Sequence, residues 1–428
     1  MDRIKKFGHN TFLSLKIRNY RWYFFGQGVS LSGTWMQTVA LGWLVLEISH
    51  SGTQVGIVVA LQFLPMLLFG PWGGLIADRY DKRKILYLTQ VAFFVSTLIL
   101  AILVFENSVT IWILYIFALC FGVVRIFDNP TRQTFVSELV GNTHLKNAVS
   151  LNATINNLAR AVGPSIAGIL IASVGMAFCF FFNAATYLVT FWTLSQMRSN
   201  ELHTVAPKKK KKGEITEGFH YVMATPLIRN TLVMMALIGT FVFEFQVSLP
   251  ILAEHVFHGD AKSYAALLSA MGLGSVVGGL FAAGRHTIAP HHLIVFMSLF
   301  GASMIATALM PTLFLTTLGM LVVGFFSINV TSLGNTTLQL ESKPEMRGRV
   351  MALWGMAMMG STPIGGPIIG FIGEHLGGRW GIGVGGIVAL LTSMLALLTI
   401  LKKDRTEKIT PNVEFMAEEM SAQSTKIP

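Results

Sequence analysis

Long apolar runs constrain this chain more than any other feature. A helix rises about 1.5 Å per residue, so roughly 20 consecutive apolar residues cross the ~30 Å hydrocarbon layer of a membrane. Runs of that length lie at about 22–46, 54–77, 85–105, 110–131, 148–172 and 176–196, and again at about 228–252, 263–284, 292–310, 313–335, 350–372 and 381–401. In lipid every backbone N–H and C=O must be satisfied within the segment, and runs this long without strict alternation achieve that as helices. Composition agrees, because 53% of the residues are hydrophobic and only 12% charged, about half the charged share of a soluble domain. An ordinary water-soluble enzyme is excluded. The expectation is an all-α membrane protein with twelve transmembrane helices.

A net charge of +11 would suggest nucleic acid in a soluble chain, but here the position of the charges decides. The N-terminus, 78–84, 132–147, 197–229, 285–291, 338–349 and the C-terminus hold 28 of the 32 basic residues, leaving Lys262 and Arg379 opposite and Arg125 and Arg160 inside spans. Short basic segments stay in the cytoplasm, so both termini are expected there, with very short loops outside. No nucleic-acid partner is expected. The run Lys208–Lys212 reads as an orientation signal against anionic lipid. Cys120 and Cys179 lie in apolar runs without metal-ligand spacing, so neither disulfide nor zinc is indicated.

The longest interruption separates six spans from six. The expected organisation is a cytoplasmic amphipathic N-terminus (1–20), a six-helix bundle (21–196), a basic linker (197–227), a second bundle (228–402) and a cytoplasmic tail (403–428). An internal repeat supports the division: Gly163-Pro164 in span five matches Gly366-Pro367 in span eleven, and Ala148-Val149-Ser150-Leu151 matches Val350-Met351-Ala352-Leu353. Pseudo-symmetric bundles of this kind place a binding site near the midplane, between the halves.

Between spans two and three runs Gly74-Leu-Ile-Ala-Asp78-Arg79-Tyr-Asp81-Lys82-Arg83-Lys84. Asp81 is placed to cap the next helix. Asp78 ends span two, where the helix dipole disfavours an anion, so a neighbouring Arg or another helix's N-terminus should stabilise it. Gly74 should let a second helix approach. Gly74, Asp78, Arg79, Lys82 and Arg83 together resemble the signature loop of the major facilitator superfamily, in the drug-efflux branch that includes enterobactin exporters and macrolide efflux proteins. The resemblance covers essentially the whole chain. It implies the major facilitator fold, a bacterial inner-membrane location, a monomer, and a gating role in which the aspartate ties the halves together on the cytoplasmic side when the protein opens outward. In the second half Ala283 stands where the acid would be. Ala159 to Gly168, including Gly163, Pro164 and Gly168, is similar to the antiporter motif of exporting members, with alanine at 159 and 167 in place of glycine. Pro removes a helical hydrogen bond and Gly permits close contact, so either a directional bend or a plain tolerated kink fits.

Charges at membrane depth cost at least ~2.5 kcal/mol on insertion scales, which makes each a functional candidate. Arg125 and Asp128, three apart in span four, should pair, either locking helices or handling substrate or protons. Arg160 shares a face with Asn156 and Asn157, offering donors to an anionic or carbonyl-rich substrate. Glu244, among Phe241, Phe243 and Phe245, is either a proton carrier or an acid facing outer water. Gln37, Asn183 and Asn329 read as polar glue between helices, and Gly272, Gly274, Gly278 and Gly279 as packing positions. No phosphate-binding loop and no protease constellation occurs in the sequence, so no cofactor is expected and a proton gradient is the expected drive.

The expected function is secondary active export of an amphipathic small molecule (a drug, macrolide or siderophore-like compound) by alternating access with proton antiport. A lipid flippase or importer of the same fold, or a membrane scaffold without transport, are the rivals.

Overall fold

The computed structural model describes residues 12–203, 214–285, 290–343 and 345–398. Twelve helices long and apolar enough to span a membrane occupy them: α1 Arg18–Ser49, α2 Gly52–Arg79, α3 Lys82–Phe105, α4 Ile111–Gly141, α5 Thr143–Ser173, α6 Ala177–Ser195, α7 Pro226–His255, α8 Ala261–Ala283, α9 Pro290–Ala308, α10 Leu313–Glu341, α11 Arg347–His375 and α12 Gly378–Leu398. A short helix, Glu214–Ala224, precedes α7. Large apolar side chains such as Leu88, Trp112 and Leu309 are exposed, as a lipid-facing surface requires. The two six-helix bundles form the major facilitator fold. One end of the molecule carries the charged loops and the start of α1 (the basic end); the other carries turns such as His50–Ser51 and Leu376–Gly377 (the short-loop end).

Local chemistry starts the helices where expected. Asp81 caps α3 by accepting from the Lys84 N–H at 3.1 Å, and Ser51 caps α2 through Gln54. One expectation fails. The segment 132–147 is no loop: the chain is helical from Ile111 to Ser173, and only Gly141, at φ 63°, leaves helical geometry. Its charges do not end the helix because they are partnered, Arg132 by Asp128 and Glu138 by Lys82. The repeat's proline is carried inside a helix in both halves, Pro164 in α5 and Pro367 in α11, and the halves differ elsewhere. α5 stays helical through Gly163-Pro164, whereas α11 breaks at Gly360–Ser361 just before Thr362-Pro363, and α7 breaks at Val242–Glu244. In the N-terminal stretch, the turn Leu13–Lys16 packs on the α4–α5 junction, with Ser14 N–H donating to Asn147 Oδ1 at 3.0 Å. Residues 1–11, the lysine run at 208–212 and the tail beyond 402 lie outside the described residues.

The halves meet along two seams. In one, α5 faces α8: Gly168 opposes Ala265, the Ser165 and Ser269 hydroxyls lie 2.9 Å apart, and Gly272 opposes Ala161 and the Arg160 carbonyl. That carbonyl is the one Pro164 leaves without its helical donor. In the other seam α2 crosses α11 backbone to backbone, Gly52 on Gly370 and Gly56 on Gly366. Gly274 and Gly278 likewise seat α8 on α10, against the Leu321 and Phe325 carbonyls.

Candidate functional site

The signature loop is wired into its own half. Lys82 pairs with Glu138 of α4 at 2.5 Å. Arg83 donates to the Leu194 carbonyl at 2.7 and 3.1 Å and to Ser195 O and Ser199 Oγ, so its guanidinium satisfies the free carbonyls at the C-terminal end of α6 and meets the negative end of that helix. Arg79 is exposed, and the Asp78 side chain lies outside the described residues. Gly74 is not the close-approach position: a Cβ there meets nothing within 4 Å. Gly73, on the adjoining face, packs on the Ile126 carbonyl of α4 instead. In the second half Arg285, at the end of α8, stacks on Phe296 at 4.4 Å and Phe281 at 5.3 Å and donates to Asn329 Oδ1.

At the short-loop end a residue that the sequence did not single out bridges the halves. Glu374, on the last turn of α11, accepts from Ser51 Oγ at 2.7 Å, Thr53 N–H at 2.9 Å and Thr53 Oγ1 at 2.6 Å. An acid near the end of one helix thus caps the start of another from the opposite half. The signal was available: Glu374, like Asp78, is an acid at a helix C-terminus, where its own dipole disfavours it.

The midplane polar groups sort into three sets. Asp128 does not pair with Arg125, as its i+3 spacing suggested; its partner is Arg132, one turn further on. Asp128 also accepts from Thr89 Oγ1 at 2.8 Å and Gln90 Nε2 at 3.1 Å, while Arg132 reaches Gln27, so the pair ties α4 to α3 and α1. Gln37 accepts from Asn183 at 2.7 Å and Thr97 at 3.3 Å, and Asn329 donates to the Gly278 and Phe325 carbonyls. These groups cross-link helices within each half.

Arg125 and Arg160 form the second set. Arg125 lies over Phe63 at 5.3 Å and Phe121 at 5.8 Å; Arg160 lies over Trp35 at 5.1 Å. Asn157, one turn before Arg160, is half-buried and lies 3.9 Å from where a Gly279 Cβ would stand on α8. Glu244 stands alone in the third. It sits where α7 breaks, 3% exposed, with Oε1 lacking a hydrogen-bond partner. Gly365 of α11 packs on the Thr240 carbonyl, where a methyl would clash, and a methyl there would also stand 3.1 Å from that oxygen. Among the described residues no cluster of three or more His, Cys, Asp or Glu could hold a metal.

Comparison with known proteins agrees with this geometry. Solved structures superpose over nearly the whole chain: a bacterial homologue of the human lysosomal transporter Spinster, inward-facing and unoccupied (TM-score 0.66, 14% identity, 89% of this chain and 94% of that one), and a POT family transporter in complex with a thioalcohol-conjugated peptide (TM-score 0.71, 13%, 90% and 96%). By sequence the chain is 24% identical to the enterobactin exporter EntS of Escherichia coli O1:K1 / APEC over 398 residues, 92% of this chain and 94% of that protein. It is 27% identical over 264 residues to the staphyloferrin A transporter of Staphylococcus aureus, 60% of this chain and 64% of the relative. Fold and relatives are those of multi-pass membrane transporters rather than enzymes. The transmembrane secretion effector model matches residues 9–426, and the chain belongs to that family of the major facilitator superfamily.

Proposed function

We propose that this protein exports an amphipathic small molecule, of the drug, macrolide or siderophore-like class, by alternating access coupled to proton antiport. The observation that carries the reading is the unequal closure of the α2–α11 seam. From Gly52/Gly370 to Leu67/Gly360 the helices touch, and Glu374 clasps the short-loop end; beyond, a Cβ at Gly74, Gly348 or Gly355 would meet nothing, and Leu68, Phe69 and Trp72 are exposed. With the basic end in the cytoplasm, as the lysine and arginine distribution requires, this is the state that loads from inside. Glu244 is the proton carrier of the scheme, because it is a buried acid with one oxygen lacking a hydrogen bond, at a helix break beside the seam that must open. The names of the relatives, an enterobactin exporter and a staphyloferrin A transporter, support the substrate class.

Proteoliposomes with an imposed pH gradient test it, with substrates drawn from a screen of siderophores, macrolides and dyes. Gradient-driven movement should be lost in Glu244→Gln while gradient-free exchange persists. Movement that ignored the gradient and survived both Asp128→Asn and Glu244→Gln would rule out proton antiport.

A further inference from the structure

Among the described residues, two cations at membrane depth have no ion-pair partner. Counting along the helices at ~1.5 Å per residue, Arg125 of α4 and Arg160 of α5 both lie about 20 Å from the short-loop end. Both are half-buried. Neither has a carboxylate within ion-pair distance or a hydrogen-bond acceptor among the described residues, and Arg160 Nε is buried without a partner. Aromatic faces lie against both, Phe63 and Phe121 for Arg125 and Trp35 for Arg160, and Arg125 is also within electrostatic reach of Tyr187 and Asp128. The other ionisable groups near this level are committed or distant in the fold. Asp128 is held by Arg132, Thr89 and Gln90, and Glu244 belongs to the opposite half.

We infer that Arg125 and Arg160 are the acid-binding part of the substrate site, and that the molecule this protein carries is an organic anion. An uncompensated guanidinium in a membrane interior is expensive, and a polar residue kept there marks a pathway or a ligand. The aromatic contacts use no N–H donor, and the guanidinium edge is the group that grips a carboxylate or catecholate oxygen in a two-point bond. Asn157 adds an amide near Arg160, and Trp35 and Phe63 add flat apolar surface for the body of an amphipathic acid. With Asp128 and Arg132 cancelling, the middle of the first half carries two positive charges, which repel a cationic drug as strongly as they attract an anion. The inference deepens the export reading and rests on its placement of the substrate between the halves.

The experiment is a binding measurement on the purified full-length protein in detergent, which needs neither a gradient nor transport. Carboxyfluorescein, an aromatic polyanion, is followed by anisotropy; citrate competes as a small polycarboxylate, and ethidium serves as the aromatic cation. The expected result is carboxyfluorescein binding that citrate displaces and ethidium does not. Arg125→Gln and Arg160→Gln should each weaken it about ten- to hundredfold, with Arg160→Lys between wild type and Gln and Lys262→Gln without effect. Without ligand, both Gln variants should melt no earlier than wild type, because each removes an unpaired buried charge; a purely structural arginine would give earlier melting. The inference is overturned by ethidium binding as well as carboxyfluorescein, by affinities within twofold of wild type in both variants, or by a wild type that binds neither anion. Gradient-driven ethidium transport without anion binding would sink it while leaving export standing; arginine-dependent anion binding without any transport would do the reverse.

Discussion

Removing the Glu374 carboxylate should open the short-loop end. That group holds α11 to α2 through three hydrogen bonds, from Ser51 Oγ, Thr53 N–H and Thr53 Oγ1. Fully buried, each hydrogen bond to a charged group contributes about 1.5–3 kcal/mol. Glu374 is half-exposed, and solvent screening reduces each to about 0.5–1 kcal/mol, or about 1.5–3 kcal/mol for the three. Glu374→Ala therefore shifts the balance toward an open short-loop end roughly 10- to 100-fold. Val58 reports the change. It is 1% exposed on α2, beside Thr38 and Gln246 in the small cavity between α1, α2 and α7 that this end seals. With Cys120 and Cys179 replaced by Ser, a Val58→Cys reporter should react with an impermeant maleimide from the short-loop side 10- to 100-fold faster in Glu374→Ala. Glu374→Gln, which still accepts hydrogen bonds, should fall between. Equal labelling rates in well-inserted Glu374→Ala and its parent would refute the clasp.

Three further outcomes are expected. Asp128→Asn leaves Arg132 buried without its counter-charge, at a cost of about 3–5 kcal/mol, so it should lower the thermal midpoint more than the Asp128→Asn/Arg132→Gln double change does; equal losses would show the pair to be uncoupled. Gly56→Val places a side chain against the Gly366 carbonyl across the seam, and overpacking of about 1–3 kcal/mol should speed labelling at Val58→Cys as Glu374→Ala does; slower labelling would contradict the packing. Asp78→Asn should act with the opposite sign, slowing labelling from the short-loop side, and faster labelling would refute that role.

The twelve spans were legible because length and backbone satisfaction in lipid depend on local sequence alone. The 132–147 segment was not, because partners decide whether a charge ends a helix: Glu138 is answered by Lys82, 56 residues away. Spacing placed Arg125 and Asp128 on one face but could not choose between i+3 and i+4 neighbours, and the choice reverses the meaning of Arg125, from half of an ion pair to a free cation. Gly74 and Gly73 show the same limit, since which of two adjacent glycines meets a helix depends on how α2 is rotated against α4. Glu244 was visible as a lone acid in an apolar run; its isolation needed the break in α7 and the glycines of α11. Glu374 lies 321 residues from Thr53, and no local pattern joins them.

The geometry of α2 and α11 explains how Glu374 is held. The helices run antiparallel, so Glu374, the C-terminal acid of α11, lies beside the N-terminus of α2 at Ser51–Thr53. Glu374 is disfavoured by its own helix dipole and relieved by that of α2. Here Glu374 has its caps, while Lys82 and Arg83 are bound within the first half. On the proposed alternating-access reading, opening the short-loop end gives up that relief. In that reading a perturbation of about one to three kcal/mol, whether a lost clasp, a protonated Glu244 or an anion on Arg125 and Arg160, is large enough to shift the balance between the two proposed states.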